Sequence, residues 1–449
     1  MTTPSGNIIF NNAGGLDTAA SGLGPATAET GAGASTDGTA VVTGITTTGV
    51  SAGDLLWVQT ASGRQFSIIA SVDSGTQVTC DDTFVLGSGQ TWAIGGQRKT
   101  IGNTNSQLMF ADAHDDWTIE LEDDQSISAA ITWSGGDDSE RGFRLIGTAG
   151  SIKSITQTAS STAHFSLSGA SCNFNNIKFL NSAVTQEVAV LGGSGANEAR
   201  FHDCICGEGS GGNNPSGFCR RGTSGLSMTF FNCIADHCTD VGFGSTNTRG
   251  YIVARNCKAI GCTSHGFATR GDGDVMMHNC ISDSNGGDGV NAGATETGSV
   301  FITNCVFRNN TGDGFGTEKD DVHFSSASIV NCQITENGAY GISWPNWIGN
   351  PEMAFFDGNN FGTGATANTS GDYQGVTGGS RDTAVDPAYA DTANGDYTPG
   401  TTEQLTAGYP EFTIDTTSVS SNQPIGVVGG SATGGGATLA SDARIERLK

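Results

Sequence analysis

Positive charge is what this chain has least of: 20 Lys and Arg stand against 45 Asp and Glu, a formal net charge of -25 over 449 residues. Such a surface repels a polyanion over most of its extent, so nucleic acid is disfavoured as a partner. No segment approaches the eighteen or more apolar residues of a membrane span, which argues against membrane insertion. Met1 to Asn7 contains no basic stretch followed by an apolar run, so the expectation is a soluble protein made in a cytoplasm without a signal peptide. The 12 cysteines include no C-x-x-C pair, which removes the usual zinc spacing. Long amphipathic runs are missing too. With 68 glycines and only 14% charged residues, the composition argues for an all-β protein of many tight turns.

What the chain does have is a repeated phrase. Asn232-Cys233, Asn256-Cys257, Asn279-Cys280, Asn304-Cys305 and Asn331-Cys332 are each followed, five residues after the Cys, by Cys238, Cys262, Asn285, Asn310 and Asn337. A Gly-apolar pair closes each phrase: Gly242-Phe243, Gly266-Phe267, Gly289-Val290, Gly314-Phe315 and Gly341-Ile342. The steps from Cys to Cys are 24, 23, 25 and 27 residues, a period that signals stacked coils. Weaker copies lie upstream at Asn175-Asn176 and Asp203-Cys204, and downstream at Asp357-Gly358.

Apolar residues sit two and four places before each Asn, as at Met228 and Phe230 or Val300 and Ile302, the alternation of a strand with one buried face. The count slips at the Asn, so the Cys turns inward and the Asn marks a bend that suits its tolerance of the left-handed conformation. A second turn and a Gly-apolar strand complete three short strands per period, one turn of a parallel β-solenoid with a coil rise of about 4.8 Å. The inward cysteines then read as small packing groups, reduced rather than disulfide-bonded, although Cys238 and Cys262 stack closely enough for a bridge to be imagined.

In this register the chain resembles the right-handed parallel β-helix family, the pectin-lyase-like solenoids, from about Leu108 to Phe361. The resemblance implies a right-handed solenoid; members include polysaccharide lyases and hydrolases and structural proteins of bacteriophages. It is not specific for activity, because one fold hosts many functions. The Asn-Thr-Asp pattern with a downstream Gly-His-Gly, and the Trp-Ile-Asp-His pattern, both familiar in its enzymes, are not found.

The whole chain divides into five expected parts. Residues 1–36, rich in Gly, Ala, Thr and Ser, read as an extended N-terminal arm ordered by a neighbouring subunit or an assembly. Residues 37–99 read as a small β-domain, and residues 100–361 as the β-helix with its N-terminal cap. Residues 362–428 form an irregular C-terminal cover, and residues 429–449 a Gly-rich linker and short terminal helix.

Candidate chemistry lies nine residues after each Asn, where Val241, His265, Asp288, Asp313 and Tyr340 form one column. Asp288 and Asp313, on adjacent coils, are the candidate catalytic pair, since glycoside hydrolysis needs two carboxyl groups about 5 to 9.5 Å apart. The competing reading is turn-forming Asp beside Gly. His265, Tyr340, Trp344 and Trp347 are the candidate glycan-binding residues, the aromatic rings either stacking on sugar faces or buried at a subunit contact. His114 belongs to a His-carboxylate cluster in the expected cap. No cofactor is expected; calcium is the one ion that acidic loops at Asp272-Gly273-Asp274 and Asp320-Asp321 could take.

The favoured expectation is a non-enzymatic virion structural protein of a bacteriophage: a fibre, tailspike or capsid-decorating spike. It would form a homotrimer, contact other virion proteins and bind a host-surface glycan. A glycan depolymerase, either lyase or hydrolase, is the alternative, and a bacterial surface adhesin the second.

Overall fold

The computed structural model describes residues 7–17, 19, 23–103, 118–134, 143–148, 151–160, 162–168, 171–182, 189–192, 198–210, 214–221, 227–244, 251–270, 274–293, 298–317, 324–345 and 354–389. It is an all-β parallel solenoid with a small barrel near its N-terminal end. Each coil adds one strand to each of three faces. Among the described residues these faces are an eleven-stranded sheet, a nine-stranded sheet, and a third face made of a four-stranded and then a six-stranded sheet.

Sequence positions that match in the repeat match in space. Met228, Ile252, Val275, Val300 and Ala327 occupy one buried column of the eleven-stranded sheet, paired in register strand by strand. In-register stacking also puts like upon like in the core. Phe174, Phe201 and Phe230 stack with centroids 5.0 and 5.1 Å apart, close to the spacing of neighbouring strands.

The bend after this sheet behaves as the Asn residues require. Asn176, Asp203, Asn232, Asn256, Asn279, Asn304 and Asn331 all have φ between 53° and 57°. This left-handed region penalises most side chains, and Asn and Asp bear it best. The following Cys is thereby turned inward: Cys204, Cys233, Cys257, Cys280, Cys305 and Cys332 are fully buried free thiols. Each donates to the carbonyl two residues earlier at 3.2 to 3.4 Å. Burial pushes the Cys204, Cys257 and Cys305 thiols well above their ordinary range, so these are inert packing groups.

A second interior ladder follows the nine-stranded sheet. Asn285 Nδ2 donates to Asn310 Oδ1 at 2.9 Å, Asn310 Nδ2 to Asn337 Oδ1 at 3.0 Å, and Asn337 Nδ2 to Asn368 Oδ1 at 2.9 Å. Each of those oxygens also accepts the backbone N–H of the coil before it. Towards the N-terminus the same column is occupied by Cys262 and Cys238, both buried and free.

The N-terminal expectation is corrected. The described residues among 1–36 are not one extended arm awaiting a neighbour. Asn7–Phe10 is the first strand of the eleven-stranded sheet, parallel to Thr118–Leu121, with Ile8 and Phe10 buried in the solenoid core. Glu29–Thr36 is a barrel strand, closing against Val41–Thr43 and Gly87–Ile94. The apolar cluster Ile8-Ile9-Phe10 has its partner in its own chain, and the barrel interrupts the solenoid between the first strand and the second.

At the other end the chain folds back. Asn360 exchanges hydrogen bonds with the backbone of Val385, and Tyr389 packs on Ile281 and Val306 on the outer side of the nine-stranded sheet. The expected linker and helix at 429–449, and the cap region containing His114, lie outside the described residues.

Candidate functional site

The Asp column sits where the second turn enters the six-stranded sheet, and the strand that follows supplies a floor. Gly289–Val290 leads into Val290–Gly293, Gly314–Phe315 into Phe315–Gly316, and Gly341–Ile342 lies within Tyr340–Ser343. The first apolar residue of each pair is fully buried, so the next residue points outward. That outward column reads Gly244, Ala268, Asn291, Gly316, Ser343 and Gln374. The absence of a side chain at Gly316 lets Asp288 and Asp313 lie close over the floor.

Hydrogen bonds tie the column together from coil to coil. Asp288 N donates to His265 Nδ1 at 2.9 Å, Asp313 N donates to Asp288 Oδ1 at 2.8 Å, and Tyr340 N donates to Asp313 Oδ1 at 2.7 Å. Each outward side chain therefore accepts the main-chain amide of the coil that follows. Because His265 Nδ1 accepts an amide proton, a neutral ring carries its own proton on Nε2, and the 3.4 Å approach of Nδ1 to Asp288 Oδ2 is then not a charged pair. Asp288 Oδ2 accepts from Asn291 Nδ2 at 2.7 Å, which leaves Asp288 with both oxygens engaged.

Gly316 fixes how close the two carboxylates come. A Cβ at that position would stand 2.8 Å from Asp288 Oδ2 and 3.1 Å from Asp313 Oδ2, so these oxygens are at most about 6 Å apart. Burial raises the Asp313 carboxyl above its usual range; the Tyr340 amide opposes this and the Asp288 charge adds to it. One neutralisable carboxyl beside a hydrogen-bonded one is the arrangement from which acid–base pairs are built.

The aromatic candidates separate. Tyr340 is half-buried at the end of the column. Trp344 is not a surface ring: it is 1% exposed and packs in the core against Phe315 and Phe356, with centroids 5.9 and 6.3 Å away. It fails as a glycan ligand because its position directly after Tyr340–Ser343 continues the inward alternation set by Ile342. Trp347, Asp272, Asp320 and Asp321 lie outside the described residues. Asp274 Oδ1 accepts the Ser299 amide at 2.7 Å. Among the described residues no three His, Cys, Asp or Glu side chains converge as a metal site would require.

Asn291, Gly316, Ser343 and Gln374 escaped the sequence reading. Their signal was available: each is the residue, or lies in register with the residue, one place beyond the Gly-apolar pair. Ser343 Oγ donates to Gln374 Oε1 at 2.7 Å, so the floor continues as a polar track to the C-terminal end.

Residues 168–353 match the family model described as the right-handed beta helix region. No curated protein matches the chain. Among solved structures, the chain is similar to the crystal structure of the periplasmic alginate epimerase AlgG. The identity is 10% and the TM-score 0.29, over 60% of this chain and 76% of that one. So low a score adds nothing to the fold or the function.

Proposed function

We propose that the protein is a non-catalytic β-helical spike: a bacteriophage fibre, tailspike or capsid-decorating protein that associates as a homotrimer and holds a host-surface glycan. One observation carries the non-catalytic reading. The outward column that could have been an active site is bound into the scaffold, its Oδ1 atoms accepting the amides of the next coil at 2.7 and 2.8 Å. Asp288 is held at its other oxygen too, Asn291 Nδ2 donating to Oδ2 at 2.7 Å, so the carboxylate is turned to the scaffold, whereas a nucleophile or general base aims its lone pair at substrate.

The depolymerase reading retains a specific observation of its own. Asp313, raised by burial, lies within about 6 Å of Asp288, a separation that suits a retaining glycosidase. One experiment separates the two. Purified protein is incubated with bacterial capsular and lipopolysaccharide glycans, and both binding and chain length are measured for the wild type, Asp288→Asn and Asp313→Asn. The spike reading expects retention of at least one glycan with no shortening by any of the three proteins. Shortening by the wild type that both variants lose would replace it with the depolymerase.

A further inference from the structure

Past Thr383 the chain runs back along the outside of the nine-stranded sheet, across its strands. Val385 N donates to Asn360 Oδ1 at 2.8 Å, one coil beyond Gln333–Thr335. Tyr389 then packs on Ile281 and Val306, its hydroxyl 3.4 Å from Thr335 Oγ1 and its ring 5.9 Å from the Arg308 guanidinium. From Val385 to Tyr389 the chain thus passes two to three coil steps of about 4.8 Å, the reach of an extended segment at about 3.3 Å per residue. Where it passes, outward side chains are covered: Gln333, Thr335 and Val306 are 0% exposed and Ile281 is 2% exposed.

The same outward columns continue towards the N-terminal coils as Lys258 and Ile260, then Ile234 and Asp236, then Ile205, then Lys178 and Leu180. These residues are only half-buried. An apolar stripe of Ile260, Ile234, Ile205 and Leu180 therefore prolongs the covered pair Ile281 and Val306, with a lysine at each end. Tyr389 is the last described residue, and the sequence after it is of the opposite charge. No Lys or Arg occurs between Arg381 and Arg444, while Asp391 and Asp396 follow Tyr389 closely.

We propose that residues 390–397 dock along this stripe, prolonging the contact that Tyr389 begins into a strap over the outer side of the nine-stranded sheet. Charge and reach agree on the register. Counted from midway between the strands of Ile281 and Val306, Lys258 lies one and a half coil steps off, about 7 Å, which is also the reach of the two residues to Asp391. Lys178 lies four and a half steps off, about 22 Å, against about 23 Å for the seven residues to Asp396. Both acids arrive at lysines. Lys178 already meets Glu208 at 3.1 Å, so Asp396 joins that pair, and the one acid on the stripe, Asp236, is engaged by His237 at 2.6 Å. Between the two ends Ala393 and Asn394 fall over Ile234 and Ile205, and Tyr397 comes beside Leu180. Such a strap ties every coil from Asn360 to Lys178 to the others, whereas stacked repeats otherwise contact only their neighbours.

The test joins carboxylates to amines in the full chain with a water-soluble carbodiimide, on a mixture of isotope-labelled and unlabelled protein, and identifies linked peptides by mass spectrometry. The Lys178–Glu208 link is the internal standard, since that pair is already in contact. Lys258–Asp391 and Lys178–Asp396 links are expected within single chains. In Tyr389→Ala both should fall at least about tenfold relative to the standard, because the ring that anchors the segment is gone, while Tyr389→Phe keeps them. The standard without either strap link overturns the strap, and so do strap links that Tyr389→Ala leaves undiminished. Links of mixed isotope from Lys258 also overturn it and give the stripe to a second copy of the chain.

Discussion

Replacing Asn310 by Ala should destabilise the solenoid far more than the loss of one surface amide would suggest. Asn310 is 1% exposed, and its side chain makes four hydrogen bonds. Oδ1 accepts from Asn285 N at 3.2 Å and from Asn285 Nδ2 at 2.9 Å, while Nδ2 donates to Ser282 O at 3.1 Å and Asn337 Oδ1 at 3.0 Å. In the variant the buried Asn285 N–H loses its acceptor, at about 1–3 kcal/mol, whereas Asn285 Nδ2 still donates to Ser282 Oγ at 2.9 Å and Ala259 O at 3.4 Å, and Asn337 Oδ1 still accepts the backbone amide of residue 310. The expected loss is therefore about 2 kcal/mol. Stacked coils need not unfold as one unit, so the assay should be local: native-state amide exchange at residues 285 and 310, supported by urea denaturation. Asn310→Cys is the discriminating control. Cys238 and Cys262 fill the same column in earlier coils and pack there without an amide, so Cys at 310 should recover part of the loss by filling the space. A loss below about 1 kcal/mol for Ala, or a Cys variant worse than Ala, would refute the ladder as a source of stability.

Two further outcomes follow from backbone and burial. Asn256, at φ 54°, should tolerate Gly with little change but lose about 1 kcal/mol on substitution by Ala, as read by thermal unfolding of both variants; equal effects would remove the left-handed bend as the reason for Asn. His164 is fully buried, with Nε2 bonded to Leu180 O at 2.7 Å, and burial lowers its pKa from 6.5 to about 4. Its contribution is fully present above pH 6.5, where folded and unfolded chains are both neutral, and is lost as pH falls towards 4, because the unfolded chain then binds the proton first. The loss is about 3 kcal/mol. Urea titrations between pH 7 and pH 4 should show this component in the wild type, and it should be missing from His164→Phe.

The solenoid was readable because its period is written in side chains that only one backbone geometry satisfies. Asn at 232, 256, 279, 304 and 331 marks a left-handed residue, and Cys one place later marks the inward turn; both follow from local chain geometry. The N-terminal misreading has the opposite cause. Ile8-Ile9-Phe10 is too short to declare a partner, and its partner, Thr118–Leu121, lies more than a hundred residues away beyond a complete barrel. Trp344 was misplaced for a related reason. Whether a ring at a strand end faces solvent or core depends on where the alternation begins, and Ile342 sets that phase.

The candidate site divides along the same line. Sequence alone determined that His265, Asp288, Asp313 and Tyr340 fall in one outward column, because residues one period apart must stack. It could not determine what their polar atoms do. Only the tertiary structure decided that each carboxylate accepts an amide from the following coil and that Gly316 brings Asp288 and Asp313 to within about 6 Å. The physical reason is range. Period and turn chemistry are set by neighbours along the chain, whereas a hydrogen bond between coils depends on tenths of an ångström between residues some twenty-five positions apart, which no local pattern records.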